Sequence, residues 1–216
     1  MTIDGRSDTH KIIETIPWGK DILEKKGWRG TVQKARTSEG IVCIKSPRGK
    51  IKDAGLLNEW DALRKANKKG VGPKAIEFLE GKLMMGFAEG KEFKEWIETA
   101  GAEDIRKAVP EILRQGRELD KIGLDHGQLS WAPKHIIIGK KITLIDFDRA
   151  SDKRQANNLT SLIGFLMLNP KGEWAGKIRA ALGIEEGKIG EIKEILKEYR
   201  KKKAEKEYKR IMEFVA

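Results

Sequence analysis

The chain has 216 residues, 39% hydrophobic and 36% charged, with 44 Lys and Arg against 33 Asp and Glu for a net charge of +11. That length suits one generous domain or two small lobes, and the basic balance favours polyanionic partners: nucleotides, nucleic acid or acidic protein surfaces. A single cysteine, Cys43, excludes an intrachain disulfide framework, residues 1–20 carry no signal-peptide pattern, and no apolar run reaches the ~18 residues of a membrane helix, so a soluble cytoplasmic protein with no membrane partner is expected.

In chain order, residues 31–35 and 41–45 flank the turn residues Ser38, Glu39 and Gly40 and predict a hairpin. Cys43 lies in its second arm and reads as a buried structural thiol. Leu56, Leu57, Trp60 and Leu63 recur at helical spacing and predict a helix over 51–67, stopped by Gly70, Gly72 and Pro73. Strands over 75–79 and 83–87 follow. Residues 103–122 predict a helix containing Pro110, and 136–138 with 142–145 predict a second hairpin around Gly139. Residues 158–168 predict an apolar helix, and 173–216 one or two charged helices. Trp60, Trp96 and Trp174 read as packing residues, while Trp28 is set at a loop tip.

The second hairpin carries the chemistry. Antiparallel pairing of its arms brings its outer ends together, so His135 and Asp146 should be neighbours, with His126 and Gln128 in the preceding loop. A carboxylate ending an apolar strand beside an imidazole suits a divalent cation, although a capping Asp and a surface His at a sheet end would look the same.

The runs His126-Gly127-Gln128-Leu129, His135 to Ile138, and Leu144-Ile145-Asp146-Phe147-Asp148 resemble the catalytic and metal-binding loops of the protein-kinase-like superfamily, where H-x-D-L, an Asn before an apolar strand, and D-F-G follow one another. The His-Gly form, and Asn158 to Leu162 so soon after Asp148, are similar to the RIO-like atypical branch and to small archaeal Ser/Thr protein kinases. Upstream, Gly27-Trp28-Arg29-Gly30-Thr31-Val32 resembles the end of a Gly-rich loop, Val42-Cys43-Ile44-Lys45 resembles V-A-I-K, and Glu59 falls where that family sets the lysine's partner. The resemblance covers roughly residues 27–168. It implies an α+β, two-lobed fold: an N-lobe over 1–86 with an antiparallel sheet and one helix, and a mostly helical C-lobe over 87–216. It further implies ATP as phosphate donor with Mg²⁺ or Mn²⁺. Gly27, Gly30, Val32, Lys45, Glu59, Met85, Phe87 and Ala88 would bind the nucleotide; Asp146 and His135 would hold the metal; Lys45, Asp146 and Gln128 would serve transfer to an unknown acceptor, a protein hydroxyl or a small molecule.

The chain departs from that pattern at three points. Gln128 stands where the family has its catalytic Asp, His135 stands near its Asn, and Asp148 stands where it has glycine. Gln128 could orient an acceptor hydroxyl, Asp125 or Asp148 could replace the missing acid, or the protein could bind ATP as a pseudokinase or switch without transferring phosphate. Two other classes compete. Lys193, Lys197, Arg200 to Lys203, Lys206, Lys209 and Arg210 would give a basic helix suited to RNA or ribosome contact, or a solvated helix balanced by interspersed Glu. His126, His135 and Asp146 could form a metal hydrolase, which would leave Lys45 and Glu59 unused.

Overall fold

The computed structural model describes residues 12–16, 24–26, 30–37, 40–47, 54–169 and 173–215. Strands β1 (Ile12–Ile16), β2 (Glu24–Lys26), β3 (Gly30–Thr37), β4 (Gly40–Pro47), β5 (Ala75–Leu79) and β6 (Lys82–Gly86) form an antiparallel sheet in the order β1-β3-β4-β6-β5, with β2 also pairing to β3. Period-two patterning decides which side chain faces which way. In β4, Val42 and Ile44 are buried with Ala35 on one face, which turns Cys43 and Lys45 to the other. The register sets Val32 directly opposite Lys45.

Helix α1 (Ala54–Asn67) crosses behind that second face. Its buried stripe is Leu56, Glu59, Ala62, Leu63 and Ala66, the three-to-four spacing of one helical face, so the helix carries a carboxylate into its own apolar seam. Asn67 then shapes the exit. Its amide donates to the Val71 and Pro73 carbonyls and accepts from the Ala75 N–H, which seats the chain into β5.

Beyond β6 the chain changes sheets across residues 87–90. Strand β7 (Lys91–Glu92) pairs with β8 (Ile136–Ile138), which pairs with β9 (Ile142–Leu144). Gly90, at φ 147°, makes this crossing possible, because a side chain there would collide with the Ile138 carbonyl. Helices α2 (Phe93–Thr99), α3 (Ala102–Lys121), α4 (Asn158–Ile163), α5 (Trp174–Ala181), α6 (Ile189–Lys202) and α7 (Glu205–Met212) make up the rest, with a 3₁₀ turn over Glu186–Lys188. Pro110 sits inside α3 without ending it. The predicted helix over 158–168 is corrected in part: it is α4 continued by a π-helical turn, Gly164–Leu168. The basic helix expected over 193–210 is two helices. Lys203 is left-handed at φ 47°, its N–H bonds the Tyr199 carbonyl, and its own carbonyl accepts from Arg117, so α6 stops and α7 starts anew.

One continuous apolar core runs through both halves, from Leu63 and Leu83 to Phe93, Phe147, Phe165 and Tyr199. Among the described residues no helix is long and apolar enough to cross a membrane.

Candidate active site

The face of β4 that carries Cys43 and Lys45, the N-terminal part of α1 and the loops at the ends of the β8–β9 hairpin enclose a cleft of about 760 Å³. Gly30, Val32, Lys45, Glu59, Met85, Phe87, Ala88, Gln128, His135 and Asp146 all line it. Gly27 and Trp28 lie outside the described residues. A second depression of about 720 Å³, between α3 and the β8–β9 turn, is lined by Lys140 and Lys141 and by charged groups engaged locally: Glu111 binds Arg114 and Gln115, and Lys107 binds Glu103.

The inner wall is an ionic triad drawn from a strand, a helix and a loop. Lys45 Nζ donates to Glu59 Oε1 at 2.7 Å, to Glu59 Oε2 at 2.9 Å and to Asp146 Oδ1 at 3.0 Å. Glu59 also accepts the Phe147 N–H at 3.3 Å, which ties α1 to the Asp146 loop. Glu59 is 1% exposed, so its charge depends on these partners. Burial pulls the Lys45 pKa down, but the Glu59 and Asp146 carboxylates outweigh it and the ammonium is held charged. Burial opposes ionisation of Asp146 too, yet Lys45 and the two histidines bring its pKa below the usual value, so it is a carboxylate at neutral pH. Asp146 takes φ 71°, an unusual conformation for a non-glycine residue and one found at functional sites.

The histidines divide into two roles. His126 is fully buried, its Nε2 donates to the Ile145 carbonyl at 3.1 Å, and its ring lies 4.5 Å from that of Phe147. Burial, with help from His135, pushes its pKa from 6.5 to about 4, so it is neutral and structural. His135 opens onto the cleft with Nε2 3.7 Å from Asp146 Oδ2. Among the described residues no cluster of three His, Cys, Asp or Glu side chains could hold a metal by itself. The His126, His135 and Asp146 grouping of a metal hydrolase is therefore not assembled, because His126 is committed to a backbone carbonyl. The pair Asp146 and His135 offers one carboxylate and one imidazole, a mixed set that fits a divalent cation only where further ligands come from outside the protein.

Gln128 is set by Gly127, whose φ of 83° lets the backbone pass under the Arg149 carbonyl, only 2.7 Å from where a Cβ would be. With its amide oriented to match its neighbours, Gln128 Nε2 donates to Asp148 Oδ1 and to the Asp146 carbonyl, each at 3.1 Å. Of the two neighbouring acids Asp125 and Asp148, Asp148 lines the cleft. Asp125 does not, since its carboxylate is bound by Arg154 at 2.8 Å.

A buried polar network beneath this loop escaped sequence reasoning. Asp120 accepts from the Asn158 N–H and amide, the Leu159 N–H and the Tyr199 hydroxyl; Asn158 in turn accepts the His126 N–H and donates to the Leu124 carbonyl. Arg117 extends it from Tyr199 to Lys203 and Glu205. Leu56, Pro73, Glu92, Lys134 and Arg149 also line the cleft and were not anticipated. Cys43 proves to be half-buried on the cleft wall instead of wholly in the core, with burial pushing its thiol pKa to about 11, which makes it a poor nucleophile. Trp60 packs on Phe78, and Trp96 and Trp174 pack on Phe93, as their spacing suggested. On α6 and α7 the cations are interleaved with acids, with Lys197 bound to Glu194 and Arg210 to Glu198, so that face is not uniformly basic.

No protein-family model matches the chain. Uncharacterized protein MJ1211 of Methanocaldococcus jannaschii is 32% identical to it over 117 residues, 54% of this chain and 99% of that protein. The chain therefore belongs to the family of the uncharacterized M. jannaschii protein MJ1211.

Proposed function

We propose that the protein is an ATP- and metal-dependent phosphotransferase of the protein-kinase-like type, an atypical Ser/Thr kinase. The observation that carries this reading is the Lys45–Glu59–Asp146 triad on the wall of the cleft. Phosphoryl transfer asks mainly for positioning and charge neutralisation, and the cleft supplies both. Val32, Met85, Phe87 and Ile137 offer an apolar slot for adenine, and Lys45, held by two carboxylates, is positioned for the α- and β-phosphates. Asp146 and His135 would hold Mg²⁺ or Mn²⁺, which supplies positive charge to the phosphate oxygens; an imidazole in the set favours Mn²⁺. The acceptor oxygen bonds to the γ-phosphorus as the bond to the ADP oxygen breaks; ADP leaves with the electron pair and the acceptor's proton passes to solvent. Gln128 orients the hydroxyl and takes no proton.

A second reading, an ATP-binding switch without transfer, draws on the same Gln128, since an amide cannot serve as a base. One experiment separates them: melting temperature against ATP concentration with Mg²⁺ and Mn²⁺, and radiolabel transfer from ATP in the same samples. Stabilisation with transfer supports the kinase; stabilisation without transfer across many acceptors supports the switch; no stabilisation at millimolar ATP refutes both.

A further inference from the structure

We propose that the acceptor is anionic beside its reacting hydroxyl and is gripped by Lys134 and Arg149. This rests on the phosphotransfer reading and names the acceptor class it leaves open. Among the described residues the cleft is lined by three cations: Lys45, Lys134 and Arg149. Lys45 is matched by Glu59 and Asp146. Lys134 and Arg149 are exposed, and neither side chain has an ion-pair or hydrogen-bond partner among the described residues.

Their backbones are fixed where transfer would occur. Lys134 precedes His135, and Arg149 follows Asp148, the group that Gln128 holds. The Arg149 carbonyl accepts from Arg154, whose guanidinium is also bound to Asp125, so Arg154 is occupied and Arg149 is anchored with its own side chain unused by the fold. The other end of the cleft is apolar around Val32, Met85 and Phe87, which suits the base and leaves the Gln128 end for the acceptor. Four acids oppose this field: Glu59 and Asp146 exceed Lys45 by one charge, which the cation held by Asp146 and His135 would offset, and Asp148 and Glu92 add two more. Asp148 is at the same end and already receives Gln128; Glu92, at the start of α2, lines the cleft with its backbone paired to Ile137.

Exposed cations without partners at the edge of a cleft attract anions and repel basic acceptors, and so act on specificity and encounter more than on fold stability. Trp131 lies midway in sequence between Gln128 and Lys134 and is 50% exposed. Its ring is braced by Trp174 at 5.5 Å and Phe165 at 6.0 Å, so the loop that carries Gln128 and Lys134 is packed onto the helical half. The negative charge could be a carboxylate of a polypeptide or a phosphate of a small alcohol; the chemistry that recognises them is the same.

The test compares radiolabel transfer from ATP with Mn²⁺ to four acceptors: a serine peptide flanked by Asp and Glu, the same peptide flanked by Lys, glycerol 3-phosphate, and glycerol. The expected result is a preference on the order of tenfold in kcat/KM for the acidic over the basic peptide, or for glycerol 3-phosphate over glycerol, shrinking at high salt. Whichever anionic acceptor wins identifies the source of the charge. In Lys134→Glu/Arg149→Glu the preference should vanish or invert through acceptor KM, while the melting temperature without ATP stays as in the wild type; Lys134→Ala/Arg149→Ala should lie between. Equal labelling of all acceptors, an unchanged preference in the charge-reversed protein, or ATP binding with no transfer to any acceptor would each overturn the assignment. Absence of ATP-dependent stabilisation in the wild type would instead remove the phosphotransfer reading beneath it.

Discussion

Replacing Lys45 with Met keeps most of the side chain's apolar stem and removes the ammonium with its charge and its three hydrogen bonds. The stranded partner is Glu59, 1% exposed, which then retains only the Phe147 N–H at 3.3 Å as a described donor. Breaking a buried pair from one side costs roughly 3–5 kcal/mol. Lys45 is 19% exposed, so some solvent reaches the gap and about 2–4 kcal/mol is the better figure. For a chain of this size that is a fall of roughly 5–15 °C in melting temperature. The loss should depend on pH. Without Lys45, burial is left to raise the Glu59 carboxyl above its ordinary 4.5 with no opposing cation. The folded state then binds more protons than the unfolded one, so stability falls as pH rises through that window and the deficit shrinks towards pH 5. Lys45→Met/Glu59→Gln should recover all but about 1 kcal/mol, because a neutral amide no longer needs an ion partner. It should not recover ATP binding. Urea denaturation at pH 5 and 8, with ATP-dependent melting shifts, reads both effects. A single variant as stable as the wild type at pH 8, or a double variant that regains ATP affinity, would refute the reasoning.

Three further outcomes follow from the same geometry. Asp146→Asn should abolish metal-dependent stabilisation by ATP, since the carboxylate facing His135 is lost, while ATP-independent folding persists; unchanged Mn²⁺ dependence in a melting assay would contradict its assignment. Gln128→Asp alone sets a carboxylate against Asp148 and the Asp146 carbonyl, so it should gain little, whereas Gln128→Asp/Asp148→Gly relieves that repulsion and should raise phosphate transfer above the wild type; ATP binding with no transfer in either variant favours the switch. His126, with its pKa lowered from 6.5 to about 4, stays neutral in the fold while the unfolded chain takes up a proton, so its contribution is intact above pH 6.5 and about 3 kcal/mol is lost as pH falls towards 4. Urea curves should show this slope in the wild type and not in His126→Gln.

What the sequence disclosed, and what it withheld, follows from the range of the interactions involved. Lys45 and Glu59 could be found because each rides on a short periodic element, period two in β4 and the helical stripe of α1, and because Val42 to Lys45 resembles a known motif. The pairing of His135 with Asp146 followed from hairpin register alone, and the structure sets them 3.7 Å apart. The Asp120–Asn158–Tyr199 network was hidden because its members are up to 79 residues apart and no local pattern marks a buried Asp from an exposed one. Strand β7 and helix α2 were missed because Lys91 to Thr99 is too short and too polar to show either period. The break at Lys203 was invisible for a different reason. A left-handed Lys has no sequence signature, and it persists here because Arg117 and the Tyr199 carbonyl hold it.

The contacts around Asp146 also bear on how the site is kept assembled. The segment from Asp148 to Asn158 is short, and α1 is fastened along it. Asn58 donates to the Asp148 and Ala150 carbonyls at 3.0 and 2.9 Å, and Lys65 bonds Asp152 at 2.6 Å. Ser151 pairs with Asp125 through both backbone N–H groups, and Arg154 closes the same turn. Each contact is modest alone, and the exposed Lys65–Asp152 pair contributes little. Acting on one segment, they leave it no slack, so α1 cannot withdraw Glu59 without also dragging the Asp146 loop. The left-handed backbone of Asp146 is tolerated for this reason: strain at one residue persists where its neighbours are fixed from both sides. The charged triad thus comes as one piece, held through α1, β4 and the hairpin end together.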